Sequence, residues 1–471
     1  MISKIIKDNK LVYLIPLLLF FAFIYKFFLT QGTWNFFEYF QGEYYNWLAK
    51  GFLEHSLGVA HAINLRFPLG FGDSVFFEGK NYLYFGPFPA AIHAILVVVN
   101  GKIFYGSELT FLASVVNLVV FWLILVKLSK IYFKKVNLFL AIPIFISYAS
   151  GPLLFNIGRG FIYEEAIAIS STLVLMAFLF LLHFLTDPNS NKKFIILSST
   201  FFGLAFLTRI NVIMYFPLLF LLLFLGLKQR KIIPKHIIVF LIPLSLLLFV
   251  QMSYNFARFH NPLETGVRYQ VFGTDYETKR VKEFPFLSLN YIEPNIQNYF
   301  FAPIYLNPSG KLINSIAPNT IGNFPKLVNV DNTGSIFLLS PILFSIILLP
   351  ILLFFKKNSA ITRLCLIITI GTVFFTTFGI LIFSGNSIRY IQDFLPFLII
   401  LAFFSLLLLF ERLTKYLKIG LIIIVFLISF YSFLLMSSKT CHTWMGNPIW
   451  KGNSRECIQF YRPIDQFHFL N

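Results

Sequence analysis

Long uninterrupted apolar runs recur from one end of this chain to the other, and they constrain the fold more than any motif does. A run of roughly 17–25 apolar residues crosses a bilayer core as a helix, because only the helix satisfies its own backbone hydrogen bonds where water is absent. About eleven such runs are legible, which predicts an all-α polytopic membrane protein. They cover Leu11–Thr30, Ser107–Val126, Asn137–Leu154, Ala166–Leu185, Phe194–Thr208 and Ile210–Leu227, then His236–Tyr254, Ser335–Phe355, Leu364–Phe383, Leu395–Phe410 and Gly420–Met436. The first run is followed by no small-residue cleavage site and is expected to stay as a membrane helix.

Composition agrees. The chain of 471 residues is 57% hydrophobic and only 12% charged, with a mean hydropathy of +0.76. That is about half the charged fraction of a soluble domain. The net charge of +18 would suit nucleic acid, but the Lys and Arg residues sit in short clusters between apolar runs. No basic helix face or aromatic RNA-binding signature accompanies them, and a nucleic-acid partner is excluded.

The segment Pro87–Asn100 is apolar but only about 14 residues long, which suits a re-entrant or interfacial helix better than a span. Charge decides the matter. If the segment does not cross, six basic clusters fall on one side. They are Lys4/Lys7/Lys10, Lys127/Lys130/Lys134/Lys135, Lys192/Lys193, Lys228/Arg230/Lys231/Lys235, Lys356/Lys357/Arg363 and Arg412/Lys415/Lys418. The positive-inside rule makes that side the cytoplasm. The expected arrangement is a multi-pass inner-membrane protein with its N-terminus cytoplasmic and its C-terminus exoplasmic. Residues 1–437 form the membrane module, with long exoplasmic loops at 31–106 and 255–334, and residues 438–471 form an exoplasmic tail. Of the acidic residues, only Asp8, Asp187 and Glu411 stay on the cytoplasmic side, so chemistry belongs on the exoplasmic face. Cys441 and Cys457 lie in the tail, where oxidation is possible, and are expected to form a disulfide, with two free thiols as the alternative. Cys365 reads as a packed residue.

Several stretches carry polar residues at a membrane boundary. Residues Glu43–Glu54 read as an amphipathic helix, with Tyr44, Trp47, Leu48, Gly51 and Phe52 on one face and Glu43, Asn46, Lys50 and Glu54 on the other. Such a helix lies in the interface with its aromatics at headgroup depth. Glu43 at its start is either a functional carboxylate or a favourable charge at a helix N-terminus, and Glu38 lies one to two turns earlier. The loop from Phe77 to Pro89 contains Gly79 for a turn and Lys80, Tyr82 and Tyr84 as possible phosphate or sugar contacts. Glu164 and Glu165 are adjacent carboxylates in the short loop before the fourth helix. Charged groups at that depth are costly, which makes them functional candidates, with a solvated helix start as the alternative. Arg258, Arg268 and Arg389 are guanidinium groups at one boundary, suited to bidentate phosphate binding or to headgroup anchoring. Arg209 lies at the turn between the fifth and sixth helices. His183 is the main polar oddity inside a span.

These stretches together resemble the GT-C superfamily of integral-membrane glycosyltransferases, and most of all the bacterial relatives of protein O-mannosyltransferases and lipid A aminoarabinose transferases. Four stretches carry the resemblance: the acidic-Tyr-Tyr-x-x-Leu-Ala helix at Glu43, the Asp73–Pro89 loop with Gly-Lys-x-Tyr-x-Tyr-Phe-Gly-Pro-x-Pro, the Tyr163-Glu164-Glu165-Ala166 helix start, and the pair Tyr-Asn-x-x-Arg-Phe-x-x-Pro-x-Glu-x-Gly at Tyr254 with Arg-Tyr-x-x-Asp-Phe-x-Pro at Arg389. The resemblance implies a GT-C-like bundle that moves a sugar from a polyprenyl-phosphate donor to a lipid, glycan or protein acceptor. It places the catalytic base on a first-loop acid, Glu43 or Glu38, and a second acidic site on Glu164 and Glu165. The family usually has Asp where this chain has Glu, and the extra methylene leaves the choice between Glu38 and Glu43 open. Arg258, Arg268, Arg389 and Lys80 are the expected phosphate contacts, and Tyr82, Tyr84, Tyr163, Tyr269 and Asp393 the expected sugar or acceptor contacts. Monophosphate donors of this kind often need no metal, and neither a metal nor another cofactor is expected. Two other functions fit a polytopic chain: a polysaccharide polymerase or ligase acting on lipid-diphosphate-linked glycans, and a lipid or glycan transporter.

Overall fold

The computed structural model describes residues 11–36, 43–59, 74–133, 137–186, 192–230, 235–271, 287–302, 305–306, 312–313, 329–330, 334–355 and 359–445. Helices dominate it. In chain order they are α1 (Leu11–Leu29), α2 (Tyr44–Leu53), α3 (Phe88–Asn100), α4 (Gly106–Phe133), α5 (Leu138–Ala149), α6 (Pro152–Arg159), α7 (Ile162–Thr186), α8 (Lys193–Thr208), α9 (Phe216–Arg230) and α10 (Lys235–Phe259). Within the second long loop lies α11 (Ile292–Ile296), and after it come α12 (Ile336–Leu339), α13 (Leu349–Phe355), α14 (Ser359–Thr376), α15 (Ile388–Arg412) and α16 (Lys415–Met445). Among the described residues, eight helical segments are long and apolar enough to cross a membrane. Shorter apolar helices at Lys193–Thr208, Ile210–Phe224 and Pro341–Phe354 stand where the sequence reading places its fifth, sixth and eighth helices. The chain is an all-α polytopic membrane protein.

Local chemistry explains the exceptions to regular helix. Pro16, Pro143, Pro243 and Pro396 sit inside helices. Membrane helices tolerate this because neighbours re-satisfy the freed backbone groups. The apolar helix α3, inside the first long loop, begins at Pro87 with Pro89 in its first turn, and ends at Gly101 in the left-handed conformation, φ 64°. Its 13 residues reach about 20 Å, well short of the roughly 30 Å hydrocarbon core.

The chain forms two compact units. The first comprises 1–35, 114–159 and 289–471. In it α16 packs on α5 and α6, and α15 packs on α14 and on the 3-10 helix Pro341–Leu348. Its interior holds a short polar ladder: Tyr148 Oη donates to Asn117 Oδ1 at 2.5 Å, and Gln392 Nε2 donates to Tyr148 Oη at 3.1 Å. Tyr25 Oη donates to the Ala149 carbonyl at 2.7 Å. Such bonds hold membrane helices together where no hydrophobic force acts between them.

The second unit comprises 36–113 and 160–288. In it α7 packs along α8, α8 along α10, and α2 across α3. Large apolar side chains remain exposed on α10, among them Leu246 and Phe249, as a lipid-facing surface requires. One feature the sequence reading misses is a three-stranded antiparallel sheet of order β2-β1-β3. It joins β1 (Ser74–Phe77) and β2 (Lys80–Tyr82) of the first long loop to β3 (Gln270–Val271) of the second. Phe77 pairs with Lys80 across the hairpin, and Ser74 pairs with Val271 across the loops.

Candidate functional site

The site is built around α2 in the second unit. Gly51 lets this helix approach the chain that follows, since a Cβ there would lie 2.2 Å from the Gly58 carbonyl oxygen. Tyr44, Tyr45, Leu48 and Ala49 then pack against Leu83, Ala90, Ile162 and Ala166. A helix lying flat with one solvated polar face does not describe this packing. Lys50 and Glu54 are exposed and 3.9 Å apart, whereas Glu43 and Asn46 are buried at 3% and 9% exposure. The physical reason is that α3 and α7 cover the N-terminal end of α2, so its polar residues there face protein.

Burial of Glu43 assembles a cluster. Glu43 Oε2 accepts a hydrogen bond from Asn46 Nδ2, and Asn46 Nδ2 also donates to the Phe104 carbonyl at 2.7 Å. Glu43 Oε1 is buried with no hydrogen-bond partner. His93 of α3 and Glu165 of α7 face the same pocket of charge, with His93 Nε2 2.9 Å from Glu165 Oε1 and both side chains fully buried. Burial pushes the Glu43 carboxyl up from 4.5 to about 7; the Asn46 hydrogen bond opposes the rise, and the Glu165 carboxylate adds to it. Glu164, the neighbour of Glu165 in the first turn of α7, is also fully buried. Neither carboxylate is part of a solvated helix start.

A second polar feature lies at the other end of the roughly 15 Å helix α2. Arg258, near the end of α10, is 2% exposed. Its guanidinium donates to the Leu83 carbonyl and to Asn255 Oδ1, the latter at 2.9 Å. It stacks over the Tyr254 and Phe259 rings at 3.8 and 4.5 Å. Arg258 thereby ties α10 to the loop that enters α3. Tyr45, in the first turn of α2, is fully buried. Burial drives its hydroxyl well above the ordinary tyrosine value, and Glu165, Arg209, Tyr84 and Tyr254 all bear on it. Gly86 makes the loop's close approach possible: a Cβ there would stand 1.9 Å from the Leu207 carbonyl oxygen.

The remaining expected contacts fall in three places. Lys80 begins β2 and is exposed. Arg268 sits in the short 3-10 turn Val267–Tyr269 beside β3, its side chain 84% exposed and its Nε 3.5 Å from Glu264 Oε2. Tyr269 packs on Phe77 at 4.6 Å, and Tyr82 packs on Phe259 at 5.4 Å, so these rings meet where the sheet, the 3-10 turn and the end of α10 come together. Tyr84 packs on Phe85 at 4.1 Å, and Phe85 on Tyr163 at 5.3 Å. Arg389 and Asp393 belong to the first unit. Both lie in the first two turns of α15, where the Arg389 carbonyl accepts from Asn156 Nδ2 at 3.3 Å and Asp393 is 6% exposed. Glu38 and Cys457 lie outside the described residues, as does the side chain of Cys441.

Two functional candidates escape the sequence reading. Asn46 is placed by periodicity on a polar face, and His93 is passed over for His183, which stacks on Phe194 at 5.6 Å. The available signal for His93 was an ionisable residue inside an otherwise apolar membrane helix.

Helices long enough to cross a bilayer, with a buried acid–histidine cluster at the head of a loop helix, define a polytopic membrane protein with an embedded titratable centre. No protein-family profile matches the chain, and no curated protein matches it. Among solved structures it is similar to the crystal structure of ArnT from Cupriavidus metallidurans bound to undecaprenyl phosphate. The TM-score is 0.46 at 11% identity, over 97% of this chain and 76% of that one.

Proposed function

We propose that this chain is a GT-C-type glycosyltransferase that moves a sugar from a polyprenyl-phosphate donor to an acceptor on the exoplasmic face of the inner membrane. The observation that carries the reading is Glu43. It is a carboxylate in the first long loop, buried to 3% exposure and raised to about 7, and it stands in the motif that resembles the family's catalytic acid. A group that titrates near the working pH is suited to take a proton in the transition state.

In this mechanism the acceptor hydroxyl attacks the anomeric carbon while its proton passes to Glu43 Oε1. A new carbon–oxygen bond forms on one face of the sugar, and the bond to the phosphate oxygen breaks on the other. The configuration inverts, and the polyprenyl phosphate leaves with the bonding pair. Its added charge needs cations that are not spent on the fold. Arg268 and Lys80 meet that description better than Arg258, whose guanidinium already holds a carbonyl and two aromatic rings. Glu43 is closed off from solvent, so the reading requires the loop around α2 to open for the acceptor, as lids commonly do.

The test is to extract and weigh the lipid that copurifies with the protein, and then to supply a labelled polyprenyl-monophosphate sugar in proteoliposomes. A bound polyprenyl monophosphate and transfer of label support the reading. A bound lipid-diphosphate glycan points to a polymerase or ligase, and flux of an unmodified lipid without covalent turnover points to a transporter.

A further inference from the structure

The second long loop carries a helix with polar residues inside and apolar residues outside. A 3-10 turn (Leu289–Tyr291), α11 and a π turn (Gln297–Phe301) run on without a break. Asn295, Asn298 and Tyr299 are buried, while Leu289 and Phe301 are 70% and 73% exposed. A loop helix surrounded by water shows the reverse pattern. The inner side is bonded to the ends of two spanning helices. Asn295 Nδ2 donates to the Leu381 and Phe383 carbonyls, both at 2.9 Å. Leu381 ends the span Ala360–Leu381, where carbonyls lack an intrahelical partner. Tyr299 Oη accepts from the Ser387 amide at 3.0 Å, and Ser387 is the N-cap of α15. These bonds fix the helix at the membrane boundary.

The outer side is a groove. A cavity of about 790 Å³ is lined by Leu289, Ile292, Glu293, Ile296, Gln297 and Phe301. Leaving so apolar a face to water is costly, and the bilayer is at hand. The spanning helix α14, whose continuation ends at the carbonyls that hold Asn295, exposes Leu366, Ile370 and Val373, as lipid-facing residues do. Glu293 is the one charged side chain between Leu289 and Phe301. A carboxylate at headgroup depth attracts an ammonium and repels a net anionic headgroup. We infer that this groove seats an aminophospholipid of the adjoining leaflet, of the phosphatidylethanolamine type. An acyl chain lies along Leu289, Ile292, Ile296 and Phe301, and the ammonium meets Glu293. The second long loop is thereby pinned to the bilayer as well as to the protein. Seating a lipid here is independent of the reaction the chain performs and of Glu43.

The experiment places the full-length wild-type protein in lipid nanodiscs that carry a phosphatidylethanolamine probe with a diazirine in the middle of its acyl chain. After irradiation, labelled residues are located by mass spectrometry, with Leu366, Ile370 and Val373 of α14 as the internal reference for lipid contact. Label on Leu289–Phe301 at a yield close to that on α14 is expected. The same chain on a phosphatidylglycerol probe should label this segment about threefold less, and Glu293→Gln should remove the difference. Leu289→Ser with Phe301→Ser changes two exposed side chains. It should lower the label on the segment about tenfold, with α14 labelled as before and the melting temperature unchanged. Absence of label on Leu289–Phe301 while α14 is labelled overturns the inference, as does a cross-link from these residues to a second copy of the chain in place of lipid. Equal labelling by the two headgroups in the wild type removes the role of Glu293 and, with it, the aminophospholipid.

Discussion

The raised carboxyl of Glu43 predicts a steep and unusual acid limb in the rate. A group that titrates at about 7 is about 90% ionised at pH 8 and about 10% ionised at pH 6, so kcat/KM should fall about tenfold between them. A carboxyl left at 4.5 would be more than about 95% ionised at both values, and the rate would be flat to within a few per cent. Initial rates of sugar transfer in proteoliposomes, from pH 5.5 to pH 8.5 at constant ionic strength, read the difference directly. Stability gives an independent reading with the opposite sign. The folded value lies above the unfolded one, so protonation favours the fold. The contribution is fully present below the unfolded value of 4.5 and is lost as the pH rises through about 7. A shift of that size corresponds to about 3 kcal/mol. Glu43→Gln should therefore melt higher than the wild type at pH 8 in detergent and match it near pH 5. A rate that stays flat to pH 5.5, together with a melting temperature in Glu43→Gln that tracks the wild type at every pH, would refute the reasoning.

Three further outcomes follow from the geometry. Arg258→Lys keeps the charge but loses the planar fork that reaches the Leu83 carbonyl and Asn255; it should cost about 2–3 kcal/mol in thermal unfolding, with any loss of activity following the loss of folded protein. Gly86→Ala places a Cβ 1.9 Å from the Leu207 carbonyl oxygen, so the loop must move by about 1 Å or more, and a drop of several degrees in melting temperature is expected. The double change Lys80→Ala with Arg268→Ala touches two exposed cations; it should raise KM for the donor about tenfold with little change in melting temperature, as loss of phosphate binding requires.

Much of the membrane scaffold was legible because apolar length is read the same way by the sequence and by the bilayer. The short apolar helix α3 was legible from its length and its punctuation, Pro87 and Pro89 at one end and Gly101 at the other. Glu164 and Glu165 stood out because carboxylates are costly at a membrane boundary, and Glu43 because it begins an amphipathic loop helix in a stretch that resembles the family's. What escaped depends on contacts distant in the chain. Helical periodicity gives Asn46 a polar face but cannot tell whether that face meets water or α3. The sheet that pairs Ser74 with Val271 joins strands almost two hundred residues apart, and neither strand alternates long enough to announce itself. Arg258 shows the same limit. A guanidinium near a helix end reads alike whether it awaits a phosphate or already holds the Leu83 carbonyl. His93 hid for a different reason: one polar residue barely alters the hydropathy of a segment this apolar.

The most direct measurement compares the wild type with Glu43→Gln, reconstituted in equal amounts and supplied with a labelled polyprenyl-monophosphate sugar at pH 8. If this carboxylate takes the acceptor's proton, kcat should fall by about 10²–10⁴-fold while the donor lipid still binds. Undiminished turnover by the amide would contradict that assignment, and with it the account of what the buried cluster is for.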